Sequence, residues 1–382
     1  MANVYVGNGM DTIELGTVKY LRVVESPEKR FWTQQNWQGS GTQAPGMAYN
    51  DFNNKQILGT VPVEEDGSAY FAVPADRFVY FQLLDKNGMM VQSMRSGTIT
   101  RPGETNGCVG CHESRRSSVP TNHVAAAMRR GPSSLQPWYG AERNFGYVVE
   151  VQPALDKHCV SCHDYGKEAG KALNLAGDLG VMFNTSYMEL RTRGFVSVPG
   201  AGPTNVLPPM SWGSHASRLG KVLLEGHGDP EIDRQVKLDE ESFASIVTWI
   251  DINAPYYPEY ASAYRNNRYG RSPLDPGQLK RLGELTGMNL GDQNLSSHVS
   301  FTRPEVSRCL EKLDGGDPKY REALDIIRAG MQMLAERPRA DMPGFKLVDR
   351  IEIDQEAKYR ARLQAEIEMR QAIIAGEKKF EQ

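Results

Sequence analysis

Twice this chain writes Cys-x-x-Cys-His, as "NGCVGCHES" at 106–114 and "KHCVSCHDY" at 157–165, and these stretches hold four of its five cysteines. Two thiols three residues apart can each add to one vinyl group of a haem while the histidine that follows reaches the iron; the pattern is the c-type attachment signature. The porphyrin edge dictates the spacing. A chain that carries it twice must fold so that two short loops stay open to a large planar group.

Four thiolates from two Cys-x-x-Cys knuckles could instead form a tetrahedral zinc site. The gap from Cys111 to Cys159 is far longer than such modules use. With 7 His in 382 residues, both pairs would be followed by His by chance only about 3 times in 10,000. A redox dithiol is disfavoured too, because nothing thioredoxin-like surrounds either motif. The expectation is two covalently bound haem c groups, one on Cys108, Cys111 and His112 and one on Cys159, Cys162 and His163, with both histidines as axial iron ligands. Cys309, in "VSRCLEKL", is left over and reads as a buried apolar filler.

Such attachment takes place outside the cytoplasm, so a periplasmic or otherwise extracytoplasmic protein is expected. The start "MANVYVGNGMDTIEL" lacks the basic opening and apolar core of a secretory signal. The native protein is therefore expected to carry an export signal, and this sequence to be a mature or truncated form. No run of 18 apolar residues predicts a transmembrane helix. A net charge of -3 argues against nucleic acid as a partner.

The predicted fold class is α+β. From Gly16 to Thr100, "GTVKYLRVVE", "KQILGTVPV", "SAYFAV" and "FVYFQLLD" read as short strands separated by turn signals such as "EDGS" and "DKNG". This predicts an antiparallel β-sandwich-like domain over 1–106. The first attachment segment follows at 107–150, and a mainly α-helical cytochrome c-type domain at 151–302. There "ASRLGKVLLEG" and "DEESFASIVTWIDINAP" carry apolar residues at helical spacing. A helical extension over 303–382 contains "PEVSRCLEKL", "DPKYREALDIIRAGMQMLAE" and "IDQEAKYRARLQAEIEMRQAIIAG". In the last, Tyr359, Leu363 and Ile367 form a stripe suited to packing on the domain or a partner.

For the second haem, the distal ligand candidates are His215 at a helix start, His227 just past the expected Gly226 C-cap, and Met210; His227 is favoured. For the first haem, His123 and Met94 compete with an open position, beside the cationic Arg115 and Arg116.

Taken together, "GTVKYLRVVE", "EEDGSAYFAVPAD", "YFQLLDKNGMMVQSMRS", "CVGCHE", "DKHCVSCH", "SHASRL", "VTWIDINAPYY" and "PRADMPGF" resemble the middle and C-terminal domains of the hydrazine synthase alpha subunit family, without its β-propeller. The resemblance implies partner subunits of a multi-haem complex and a C-terminal haem with two histidine ligands, here His163 and a distal partner. In that family a tyrosine four residues past the first motif histidine holds the catalytic iron. Here that position is Arg116, which cannot ligate iron, so the resemblance leaves His112 as the expected axial ligand and does not carry hydrazine synthesis with it.

Three function classes stay open. One is electron transfer between redox partner proteins through two haems. Another is a haem enzyme acting on a small nitrogen or oxygen compound at the first iron, and the third is a haem-bearing docking module. No hydrolase triad or phosphate loop accompanies the motifs.

Overall fold

A computed structural model describes residues 1–7, 9–27, 54–111, 124–199 and 207–378. Its N-terminal part is built on one antiparallel sheet of β1 (Tyr20–Glu25), β2 (Gln56–Pro62), β3 (Val79–Leu84) and β4 (Met90–Ser93), in the order β2-β1-β3-β4. The "DKNG" turn closes the β3–β4 hairpin, with Gly88 at φ +75° and its amide donating to Asp85 O at 3.1 Å.

Among the described residues ten α-helices follow: α1 (Tyr147–Glu150), α2 (Gln152–His158), α3 (Glu168–Ala172), α4 (Thr185–Thr192), α5 (Arg218–Glu225), α6 (Pro230–Gln235), α7 (Glu240–Asp251), α8 (Pro276–Thr286), α9 (Pro318–Glu336) and α10 (Arg350–Ile374). The α+β class expected from the sequence is the one observed. No described helix is long and apolar enough to cross a membrane.

A sandwich would stack a second sheet on the first; among the described residues there is a single sheet with both faces covered by other elements. β1 accordingly shows no alternation, being buried at every residue after Tyr20. Leu21 and Val23 face a core with Val4, Tyr5, Met10, Val61, Leu83 and Val91. Arg22 and Val24 face the helices instead. "SAYFAV" is no ladder strand and makes only an isolated parallel bridge, Phe71 to Ser133. "PEVSRCLEKL" is two 3₁₀ turns, Pro304–Val306 and Arg308–Leu310, because Ser307 between them is extended and its hydroxyl accepts the Ser300 amide at 3.0 Å. Cys309 is buried as expected, and burial pushes its thiol up to about 12.

Sheet and helices meet through a polar network. Arg22 donates to Gln82 Oε1 (3.1 Å) and Thr248 Oγ1 (2.8 Å), and Gln82 donates to the Asp251 carbonyl (2.7 Å). The Asp251 carboxylate accepts the amides of Ser214 (2.7 Å) and Met90 (3.0 Å) and lies 3.9 Å from Arg22. Burial raises its pKa to about 6, against the opposing pull of Arg22.

A carboxyl whose pKa is higher folded than unfolded adds stability below its unfolded value and loses it as pH rises through the folded value. The free energy of unfolding is therefore expected to rise by about 1–3 kcal/mol between pH 7 and pH 5. Below about pH 4 it falls again, as Asp85 and Asp164, both held below the usual carboxylate range, become protonated. Urea titrations across this range check it. Asp251→Asn should flatten the rise between pH 7 and 5, and an unchanged slope in that variant would remove Asp251 as its source.

Candidate functional site: the second Cys-x-x-Cys-His loop and His227

Helix α2 delivers the second motif. Its last turn ends at His158, whose Nε2 lies 3.0 Å from Asp239 Oδ2 at the N-cap of α7, tying α2 to that helix. The Cys159 amide donates to Leu155 O (2.8 Å), and the amides of Cys162 and His163 then turn back onto Cys159 O at 3.0 and 2.9 Å. Both thiols and the imidazole thus sit on one tight turn. α3 closes over it at Gly170, where a Cβ would lie 1.9 Å from Asp164 O.

His163 is oriented from behind. Its Nδ1 lies 2.9 Å from the Leu173 carbonyl, and because a carbonyl only accepts, the proton must be on Nδ1 and the lone pair on Nε2. A metal-ligating imidazole needs that tautomer. Arg303 braces the same loop from the C-terminal extension, pairing with Asp164 at 2.7 Å and Asp178 at 2.5 Å and covering the Tyr165 ring at 5.0 Å.

Across from it stands His227. Helix α5 stops at Gly226, whose φ of +87° turns the chain, and the ring of the next residue comes 6.5 Å from that of His163, centroid to centroid, with planes at 29°. Two imidazoles bound end-on to one metal, with nitrogens about 2.0–2.1 Å from it and ring centres about 1.1 Å further back, would have centroids about 6.3 Å apart. The observed centroid separation is close to that span.

The other distal candidates lie elsewhere. His215 Nε2 is 3.2 Å from Asp85 Oδ2, near the sheet–helix junction, and the Met210 amide donates to Val91 O on β4. Burial, together with the neighbouring Cys162 thiol, pushes Cys159 up to about 11.

The first motif is described as far as Cys111; His112, Arg115, Arg116 and His123 lie outside the described residues. Cys108 O accepts the Ala2 amide (2.8 Å), and the Cys111 amide donates to Val6 O (2.7 Å), so the N-terminal strand-like segment pins this loop. Cys111 is buried in the sheet core, whereas Cys159 packs against the helical one, so the two pairs do not form one site. Cys108 borders a cavity of about 350 Å³ walled by Phe71, Val73 and Phe81. Met94 packs with the helical-side core, away from the one that holds Cys111. Among the described residues no three or more His, Cys, Asp or Glu side chains converge as a metal-binding group.

Sequence reasoning singled out both loops and His227 and passed over Leu173, Asp233 and Arg303, which contact or adjoin them. "HGDPEID" held a local signal, a carboxylate six residues beyond a histidine. Arg303 had none, lying 139 residues from Asp164 in the chain.

Comparison with known proteins agrees with the family resemblance. Residues 16–113 match the family described as hydrazine synthase alpha subunit middle domain, a span that takes in the sheet and the whole first motif. Hydrazine synthase subunit alpha of Kuenenia stuttgartiensis is 24% identical over 292 residues, an alignment covering 58% of this chain and 36% of that protein. The chain thus spans about a third of the curated relative. The solved Kuenenia stuttgartiensis hydrazine synthase matches with a TM-score of 0.48 at 19% identity, over 67% of this chain and 42% of that one. Over residues 16–113 the chain is thus similar to the hydrazine synthase alpha subunit middle domain.

Proposed function

We propose that this chain is an extracytoplasmic di-haem c-type cytochrome that passes electrons between partner proteins. The observation that carries the reading is the pairing of His163 with His227 beside two thiols at attachment spacing. Haem iron, when bound, supplies one-electron redox chemistry at a potential set by its ligands and their surroundings.

The chain's own part is to hold and insulate. Cys159 and Cys162 would anchor the ring, while His163 and His227 would hold the iron and exclude exogenous ligands. Bracing of His163 by the Leu173 carbonyl and of its loop by Arg303 would limit movement of the ligand residues, which favours electron transfer over substrate binding. Cys108, Cys111 and His112 would anchor the other haem. The relative's name marks it as one subunit of a larger enzyme, which supports partner subunits as the redox partners here.

The cavity beside Cys108 favours one further reading, in which the first haem takes a small nitrogen or oxygen compound. Carbon monoxide separates the two. A pure relay leaves both haems unreactive towards it, whereas the enzyme reading requires one haem per chain to bind it.

Intact mass of protein matured with the attachment machinery should exceed the chain by two haems. Cys159→Ala with Cys162→Ala should leave one, and His227→Ala in an otherwise native chain should convert the second-motif haem from low spin to a ligand-binding form. A protein that carries zinc and no haem would end this reading.

A further inference from the structure

We propose that Asp233 is the positioning residue for His227, fixing its ring so that Nε2 faces His163; this rests on reading the two histidines as ligands of one haem iron. Asp233 Oδ1 accepts the backbone amide of His227 at 2.7 Å, and the same oxygen lies 3.4 Å from Nδ1 of the ring. The first contact fixes the carboxylate to the very residue whose ring it must orient. The second places the carboxylate charge beside Nδ1, the ring nitrogen whose protonation leaves the Nε2 lone pair for metal.

Gly226 makes the approach possible. A Cβ there would lie 2.5 Å from the carboxylate carbon and Oδ1, and its φ of +87° is one that other residues rarely adopt. α6 supplies the carboxylate from below, with Asp229 capping its start through the Glu231 amide at 2.8 Å.

The two imidazoles are therefore held by unlike partners. A neutral carbonyl, Leu173 O, stands behind His163, and an anionic carboxylate stands behind His227. An anionic acceptor makes its imidazole the stronger donor to metal and favours the oxidised iron. Both His227 and Asp233 side chains are 32% exposed, so this is also the side that solvent and exogenous ligands reach.

The test uses the full chain with both haems attached. In Asp233→Ala, added imidazole or cyanide is expected to displace His227 about 10- to 100-fold more readily, with a higher midpoint potential for the second-motif haem. Asp233→Asn keeps an acceptor oxygen and loses the charge, so ligand displacement should return towards the native level while the potential stays raised. The first-motif haem, unchanged in both variants, reports that the fold is intact. If Asp233→Ala leaves displacement and potential unchanged while His227→Ala abolishes the low-spin signal, the proposal is wrong and the ligand assignment stands. Should His227→Ala itself change nothing, the ligand assignment fails and the role of Asp233 falls with it.

Discussion

Asp341→Ala is expected to destabilise the protein by about 3–5 kcal/mol, the cost of stranding a buried guanidinium without its carboxylate. The Arg339 and Asp341 side chains are both 0% exposed and joined in parallel, Nε to Oδ1 at 2.8 Å and Nη2 to Oδ2 at 2.9 Å. Arg339 also donates to the carbonyls of Gly180 (2.9 Å) and Val181 (3.1 Å), and Tyr256 OH donates to Asp341 at 2.7 Å. A second buried cation, Arg271, lies over the Tyr257 ring at 4.0 Å, so removal of Asp341 leaves two positive charges in one apolar region. Urea unfolding followed by tryptophan fluorescence measures the loss. Arg339→Met combined with Asp341→Leu should recover most of it, because no unpaired charge then remains. A loss below about 1 kcal/mol for the single variant would mean that water reaches the pair.

Gly7→Ala should have the next largest effect, about 3 kcal/mol or more. Its φ is +129°, a conformation closed to alanine without strain, and the added Cβ would lie 1.7 Å from the Cys111 carbonyl oxygen. Backbone oxygen cannot turn aside as a side chain can, so the N-terminal segment must lift away, taking Val4, Tyr5 and Met10 out of the sheet core. Differential scanning calorimetry should show a lowered transition, and amide exchange should quicken at Cys111 before it does at Cys159. Equal protection at both loops would contradict the pinning role of residues 2–6.

Where the sequence was legible, one local rule was enough. Attachment spacing marked both loops, "DKNG" marked a hairpin, and the acidic start of "DEESFASIVTWID" lies at the start of α7, which Asp239 caps by accepting the Ser242 amide at 2.8 Å. The illegible parts depended on distant partners. "SAYFAV" has strand composition, yet its neighbour is the irregular stretch around Ser133. β1 read as one strand of a sandwich because its residue types suit a pleated sheet; only the helices packed on Arg22 and Val24 show that its second face is buried as well. The stripe of Tyr359, Leu363 and Ile367 was legible as a pattern. Even so, Leu363 is 43% exposed and Ile367 39%, so α10 leaves these two residues of the stripe uncovered among the described residues.

β1 has one further consequence, for separability. Its odd-numbered side chains Leu21 and Val23 belong to the core around the first loop, while Arg22 reaches Thr248 on α7, the helix to which His158 ties the second loop. A single inserted residue in this strand would exchange the two sets, sending a guanidinium into an apolar core and leucine onto a polar network. A cut that divides the chain after the sheet would strip one face of every strand. The two loops therefore cannot be expressed, exchanged or shuffled as independent cassettes; they share a wall, and each half needs the other to complete it.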